Sequence, residues 1–496
     1  LSRRVLRCGR EELVLRALGK MTSSLRKKLG ESLSSIKKFD APIEEATTSS
    51  LEALKSFSVG REFYRQGKTA EAVTHLKHAV DLDGNFALAY YVLGIAYRQS
   101  TLSEEALRKA FELRDRVTER EKLLISSAYY LGITGEIEKS IEALELVKQT
   151  YPRDLAAHIL LGFRNSDIGQ YEKAIAEHSE AIRINPNIAN QYGGLAAAFI
   201  RLDRYDEAVE ICERAMQLKL DLARYHETLY SIAFIRGDQV GMAEQVAWGS
   251  RTPDEFVHFV WQGASASFGG QWRKAEALSA QAYEAALRLN LEEVAASLDS
   301  DRAMVGALFG DCGTVRAGAS RHLATPLTLT SLSKWGKALA MCSEAGQAES
   351  VADEMGKRFP KDSFAQSVFL PSIRALLEIN RNNPSRAIEL LQGASRYEAG
   401  QSIYLWPAYL RGLAYLRQGA GDKAAAEFRK ILDHRGQVAM NPLFPLSHLG
   451  LARAAALKGE TATSRHEYQD FLALWKDADT DLPVLVEAKR EYQKLK

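Results

Sequence analysis

A chain of 496 residues, 46% hydrophobic and 26% charged, has ample apolar side chain for a folded core and too little glycine and proline for a disordered one. Its formal net charge of +2 gives no ground for nucleic-acid binding, and no apolar run reaches the roughly 18 residues of a membrane span. The four cysteines, Cys8, Cys212, Cys312 and Cys342, form no CxxC or Cys/His cluster, so neither a disulfide framework nor a zinc site is expected. No other metal or cofactor is expected either. Leu1 is followed by no secretory apolar stretch, which reads as a start inside a longer reading frame.

Residues 1–50 form the first segment, a basic amphipathic helical connector. Val14, Leu18, Met21, Leu25, Leu29, Leu33 and Ile36 recur at spacings of three and four, one apolar stripe on a long helix. Up to Lys28, nine arginines and lysines stand against Glu11 and Glu12. No aromatic ring interleaves them, so a solvated face on a docked helix is preferred over a nucleic-acid or membrane contact.

Residues 51–222 carry an internal period. Gly60, Gly94, Ala128, Gly162 and Ala196 stand 34 residues apart, and Ala72, Ala106, Ser140, Ala174 and Ala208 follow at the same spacing. A third column reads Ala79, Leu113, Val147, Ala181, Ala215. Small side chains at those points let two antiparallel amphipathic helices approach closely, while Phe63, Tyr97 and Phe199 fill the larger spaces. Gly67-Lys68, Gly135-Glu136, Gly169-Gln170 and Asp203-Arg204 mark the reversals, and Pro152 and Pro186 the ends of second helices.

These columns resemble the tetratricopeptide repeat, most closely in YEKAIAEHSEAIRINPN (Tyr171 to Asn187) and YDEAVEICERAMQL (Tyr205 to Leu218). The resemblance implies an all-α, right-handed α-solenoid superhelix. Over 223–330 the period loosens into degenerate pairs, with Trp272, Ala275 and Ala282 marking one unit. Residues 331–496 restore it through Gly336, Ala348, Pro360, Ala375, Ala387, Gly412 and Ala424, with longer turns. Gly450 is read as opening the last pair, before a terminal capping helix, for about 12 helix pairs in all.

The two ends add a second resemblance. Leu25 to Gly60 and Tyr468 to Lys496 look like the segments that flank the repeat region in bacterial, eukaryotic-like serine/threonine protein kinases. That resemblance implies a sensory or partner-binding region placed after a kinase and a membrane span, hence on the extracytoplasmic (periplasmic) face. Without such linkage the chain is expected in the cytoplasm. A free-standing assembly scaffold and the effector region of a winged-helix transcriptional regulator stay open as alternatives. Any membrane attachment would come through an upstream segment, and the oligomeric state is not fixed.

Catalysis is not expected. The chain has no glycine-rich nucleotide loop, no His-Arg-Asp loop and no Asp-Phe-Gly, and DHRG at Asp433 to Gly436 is only a scrambled look-alike in a turn. His226-Glu227 and His466-Glu467 lack the second histidine of a zinc protease, and His178 reads as a packing residue. The resemblance instead implies a concave groove for a protein or peptide. Carried over by position, its lining would be Tyr64, Arg65, Tyr91, Arg98, Tyr129, Phe163, Asn190 and Arg201, rings and guanidinia suited to an extended partner.

Overall fold

The computed structural model describes residues 48–65, 68–97, 101–252, 255–323 and 327–495, with Met21 and Ser24. The connector expected over 1–50 lies almost wholly outside these residues. Among the described residues there are 25 α-helices and no strand, so the all-α solenoid inferred from the period holds. The chain divides into two compact units, Leu1–Ala157 and His158–Lys496.

The first unit holds three antiparallel pairs: α1 (Leu51–Arg65) with α2 (Thr69–Leu82), α3 (Ala87–Ala96) with α4 (Thr101–Glu112), and α5 (Glu119–Tyr129) with α6 (Ile137–Thr150). The fourth pair, α7 (Leu155–Asp167) with α8 (Tyr171–Ile184), begins at the division, and the rest lie in the second unit. They are α9 (Ala189–Arg201) with α10 (Tyr205–Gln217), α11 (Ala223–Arg236) with α12 (Gln239–Gly249), and α13 (Phe256–Phe268) with α14 (Trp272–Arg288). Then come α15 (Glu292–Phe309) with α16 (Cys312–His322), α17 (Leu329–Met341) with α18 (Ala345–Arg358), and α19 (Leu370–Asn380) with α20 (Pro384–Leu391). The last pairs are α21 (Trp406–Arg417) with α22 (Gly421–Leu432) and α23 (Leu443–Leu457) with α24 (Thr461–Leu474), after which α25 (Pro483–Gln493) ends the stack.

One turn recurs throughout the second unit. Each first helix ends in a residue of positive φ, at Gly169, Asp203, Gly237, Gly270, Gly310, Ser343, Asn382, Gly419 and Gly459. The following amide then reaches back five residues, as in Gln170 N to Asn165 O and Glu460 N to Ala455 O. This is the Schellman arrangement, which satisfies carbonyls that the helix end would orphan. The left-handed residue falls seven places after the small residue of the crossing, Gly162 to Gly169 and Gly412 to Gly419. Counting back from Gly459 places the last crossing residue at Ala452, not at Gly450, a two-residue correction to the sequence register.

The small-residue rule has a steric basis. A Cβ on Gly162 or on Gly194 would lie 2.5 Å from the imidazole of His178, which is therefore held between two glycine backbones. At the same place in α11 stands Tyr230, its hydroxyl 2.9 Å from Ser265 Oγ. A tyrosine in a small-residue slot is one reason the period loosens after residue 222. Packing there is also thin: in α12 only Gly249 is buried, and Val240 is 70% exposed.

The cysteines depart from expectation. Cys312, opening α16, and Cys342, closing α17, are joined as a disulfide with Cα atoms 5.5 Å apart. Stacking sets the turns of successive pairs side by side, which brings together two residues 30 apart in sequence. No local cysteine motif announces such a pairing.

The second unit also closes on itself. Segments 398–405 and 433–442, the long connections after α20 and α22, meet the turns after α7 and α9. Tyr171 donates its hydroxyl to Ala399 O at 2.5 Å, and Gln401 donates its amide to Ser166 O at 3.2 Å and its side chain to Asp167 Oδ1 at 2.6 Å. Gly436 N donates to Asp203 Oδ1 at 2.6 Å, and a Cβ at Gly436 would stand 1.7 Å from Ile200 O. Farther along, Trp475 Nε1 donates to Phe268 O at 2.9 Å and Asp479 N to Gly270 O at 3.1 Å. Arg435 lies over the rings of Phe444 and Phe268, 4.4 and 4.8 Å from their centroids. The DHRG stretch is thus part of a structural seam.

Candidate functional site: a cavity behind the seam

Closure at the seam frames a cavity of about 550 Å³, open to solvent on one side. Its walls come from α9, α11, α13, α14 and α15, and residues 401–404 and 436–442 complete it. That size is within the roughly 300–1,000 Å³ range of small-molecule sites.

Arg201, one of the expected groove residues, lines this cavity. Its guanidinium donates to Gln437 O at 2.6 Å and to Gln401 O at 3.3 Å, and sits 5.0 Å from the Tyr404 ring centroid. It therefore braces the seam. Asp301 pairs with Lys334 at 2.7 Å, and Arg302 with the buried Asp299 at 2.7 Å.

Arg224 and Glu227 are different. They stand three residues apart on α11, both line the cavity, and neither has a hydrogen bond or ion pair from its side chain among the described residues. Both residues are solvent-exposed along the open side of the cavity, and the protein gathered around the Glu227 carboxyl raises its pKa by partial desolvation. The positive charges of Arg224 and Arg201 offset only part of that. Across from them Gln437 is 5% exposed, and its Oε1 has no partner.

The other expected groove residues are scattered. In the first unit Tyr64 is half-buried, Tyr91 is buried, and Tyr129 stacks on Phe111 with ring centroids 3.8 Å apart. Arg114 lies over the same Phe111 ring at 3.8 Å, and Tyr130 meets it edge-on at 6.0 Å. In the second unit Phe163 rests edge-on against His178 and Asn190 is exposed. The side chain of Arg65 and the whole of Arg98 lie outside the described residues.

His448, Glu467 and Asp470 bring three ligand atoms within 4.8 Å of one another. The His448 Nδ1 to Glu467 contact, 2.7 Å, has counterparts at equivalent repeat positions: His158 with Glu177 at 2.6 Å and His226 with Gln245 at 2.6 Å. In each case the partner lies 19 residues on, and in one it is a neutral amide. The recurrence marks a tie between the two helices of a pair. Elsewhere in the second unit Lys337 is buried with its ammonium 5.0 Å from the Trp406 ring centroid. Desolvation pulls its pKa down to about 7. No helix among the described residues is long and apolar enough to cross a membrane.

Comparison with known proteins finds tetratricopeptide repeats in this chain. A TPR repeat model matches residues 60–100, and Tetratricopeptide repeat models match 192–222, 374–438 and 409–479. Superkiller protein 3 of Schizosaccharomyces pombe is 29% identical over 153 residues, 28% of this chain and 10% of that protein. Superkiller complex protein 3 of Mus musculus is 27% identical over 166 residues, 32% of this chain and 10% of that protein. The chain thus spans about a tenth of the length of these relatives. Among solved structures, yeast Tom70 aligns over 89% of this chain and 95% of its own, at 14% identity and a TM-score of 0.35. Repeats of this kind suggest a protein-interaction scaffold, a fold that is typically non-catalytic.

Proposed function

We propose that the chain binds a protein or peptide partner through the aromatic surface of its first unit. The observation that carries this reading is the half-buried group of Phe111, Tyr129 and Tyr130 with the Arg114 guanidinium laid on it. Rigid rings beside an arginine give large contact area at low entropic cost and pair well with partner carboxylates. Peptides selected from a displayed random library against the full chain test it. Tyr129→Ala should weaken the best peptide about tenfold or more while the circular dichroism spectrum is unchanged. Equal binding by wild type and variant would move the site elsewhere.

The finer reading is that this scaffold is the sensory, partner-binding region of a bacterial signalling protein linked to a serine/threonine kinase. It is supported by the resemblance of Leu25 to Gly60 and Tyr468 to Lys496 to the segments flanking the repeats in such kinases. Immunoblotting the native polypeptide tests it. A species much larger than 496 residues that phosphorylates itself is the expected result, and one of that length leaves a free-standing scaffold.

A further inference from the structure

One contact recurs between successive helix pairs of the second unit. The residue that opens a second helix, two places after the left-handed turn, meets the residue just before the left-handed turn of the next pair. Trp272 meets Phe309 edge-on, with ring centroids 6.0 Å apart, and Tyr171 shares a buried cluster with Ala198 and Leu202. At Gly421 an added Cβ would lie 2.8 Å from Lys458 Cγ. Cys312 and Cys342 occupy this same pair of places, beside Gly310 and Ser343. A disulfide thus stands where α8 and α14 present an aromatic ring. Two separate thiols would fill far less space than a ring, so the bond itself secures this contact.

The rest of α16 is lightly held. Along it only Val315, Gly318 and Ala319 are buried, and its Arg316 pairs with Glu344 at 3.1 Å on the surface. Gly318 sits so close to the Trp335 indole that a Cβ would lie 2.4 Å from it, a fit that any shift of α16 would lose. Cys342 is buried but Cys312 is partly exposed, so one sulfur is within reach of an attacking thiolate.

We propose that the Cys312–Cys342 bond is a redox-operated joint, which holds α16 on the stack when oxidised and releases it when a dithiol reduces it. One thiolate of the dithiol attacks Cys312 Sγ, the sulfur–sulfur bond breaks, and Cys342 leaves and takes up a proton. The second thiolate then displaces Cys312 from the mixed disulfide. Two electrons and two protons pass to the chain, which ends with two thiols, and the dithiol ends as a disulfide. Oxidising surroundings keep the joint closed. This inference does not rest on the partner-binding surface of the first unit.

The test is hydrogen exchange of the full chain, read by peptide mass spectrometry before and after reduction with dithiothreitol. Iodoacetamide should label neither Cys312 nor Cys342 before reduction and both afterwards. On reduction the amides of α16 should exchange about tenfold or more faster, while those of α8, secured by a ring, keep their rate. The double variant Cys312→Ser, Cys342→Ser should show the fast rate without reductant and no response to it. The wild-type comparison stands without that variant, should the variant fail to fold. Cysteines that label before reduction, α16 exchange unchanged by full reduction, or acceleration spread equally over α8 would each overturn the proposal.

Discussion

Within the second unit, helix crossings and the seam are built by opposite means. At a crossing, side chains meet side chains, and a small residue on one helix admits a large one from the next, as Gly412 admits Phe428. At the seam, backbone meets backbone or its nearest polar side chain: Gly436 N on Asp203, Gln401 N on Ser166 O, Trp475 Nε1 on Phe268 O. Crossings draw on bulk apolar burial and tolerate volume-conserving change. The seam depends on a few directional bonds and on residues with no Cβ.

The sharpest way to break that contrast is Gly436→Val. Its side chain would have to occupy the space of Ile200 O, so the seam should open at a cost of about 3 kcal/mol or more. Limited proteolysis should then cut within 433–442 while far-ultraviolet helicity persists. An unchanged melting curve would refute the seam.

Next in size is Ala208→Trp, which overpacks a fully buried crossing and should cost about 1–3 kcal/mol. Its damage should be local, leaving 433–442 resistant to protease. If both variants expose that segment equally, crossings and seam are not separable.

The smallest effect concerns Lys337. Its folded pKa of about 7 lies below the ordinary 10.5, so the unfolded chain binds more protons between those values. Stability should therefore rise as pH goes from about 7 toward 10, and the penalty is complete below 7. Lys337→Met should raise the melting temperature at pH 6 and flatten that rise. A wild-type curve without the slope would place the ammonium in solvent.

The same contrast explains what could be read from residues alone. A crossing repeats, so its small residues, its left-handed turn and its pair count are written many times over, and the period from Gly60 to Ala196 revealed them. Where one crossing departs, as with Tyr230, the period fades with it. The seam is written once. Gly436 and Asp203 stand 233 residues apart, and nothing near either signals the other. The long connections were visible only as extra length between columns. The cavity inherits that opacity: Arg201 was found through its repeat position, whereas the cavity it lines exists only once the seam is in place. The disulfide was missed for the same reason, its cysteines being joined by stacking and not by a motif.

Closure also changes how such a molecule loses structure. An open array behaves as a spring, each repeat answering only to its neighbours, so that it frays from an end and melts over a broad range. Fastening the turns after α7, α9 and α13 to segments more than two hundred residues later joins distant coils of that spring. A stretch or a bound ligand at one coil is then felt at the other. The second unit should therefore unfold in one sharp step, with elasticity exchanged for cooperativity.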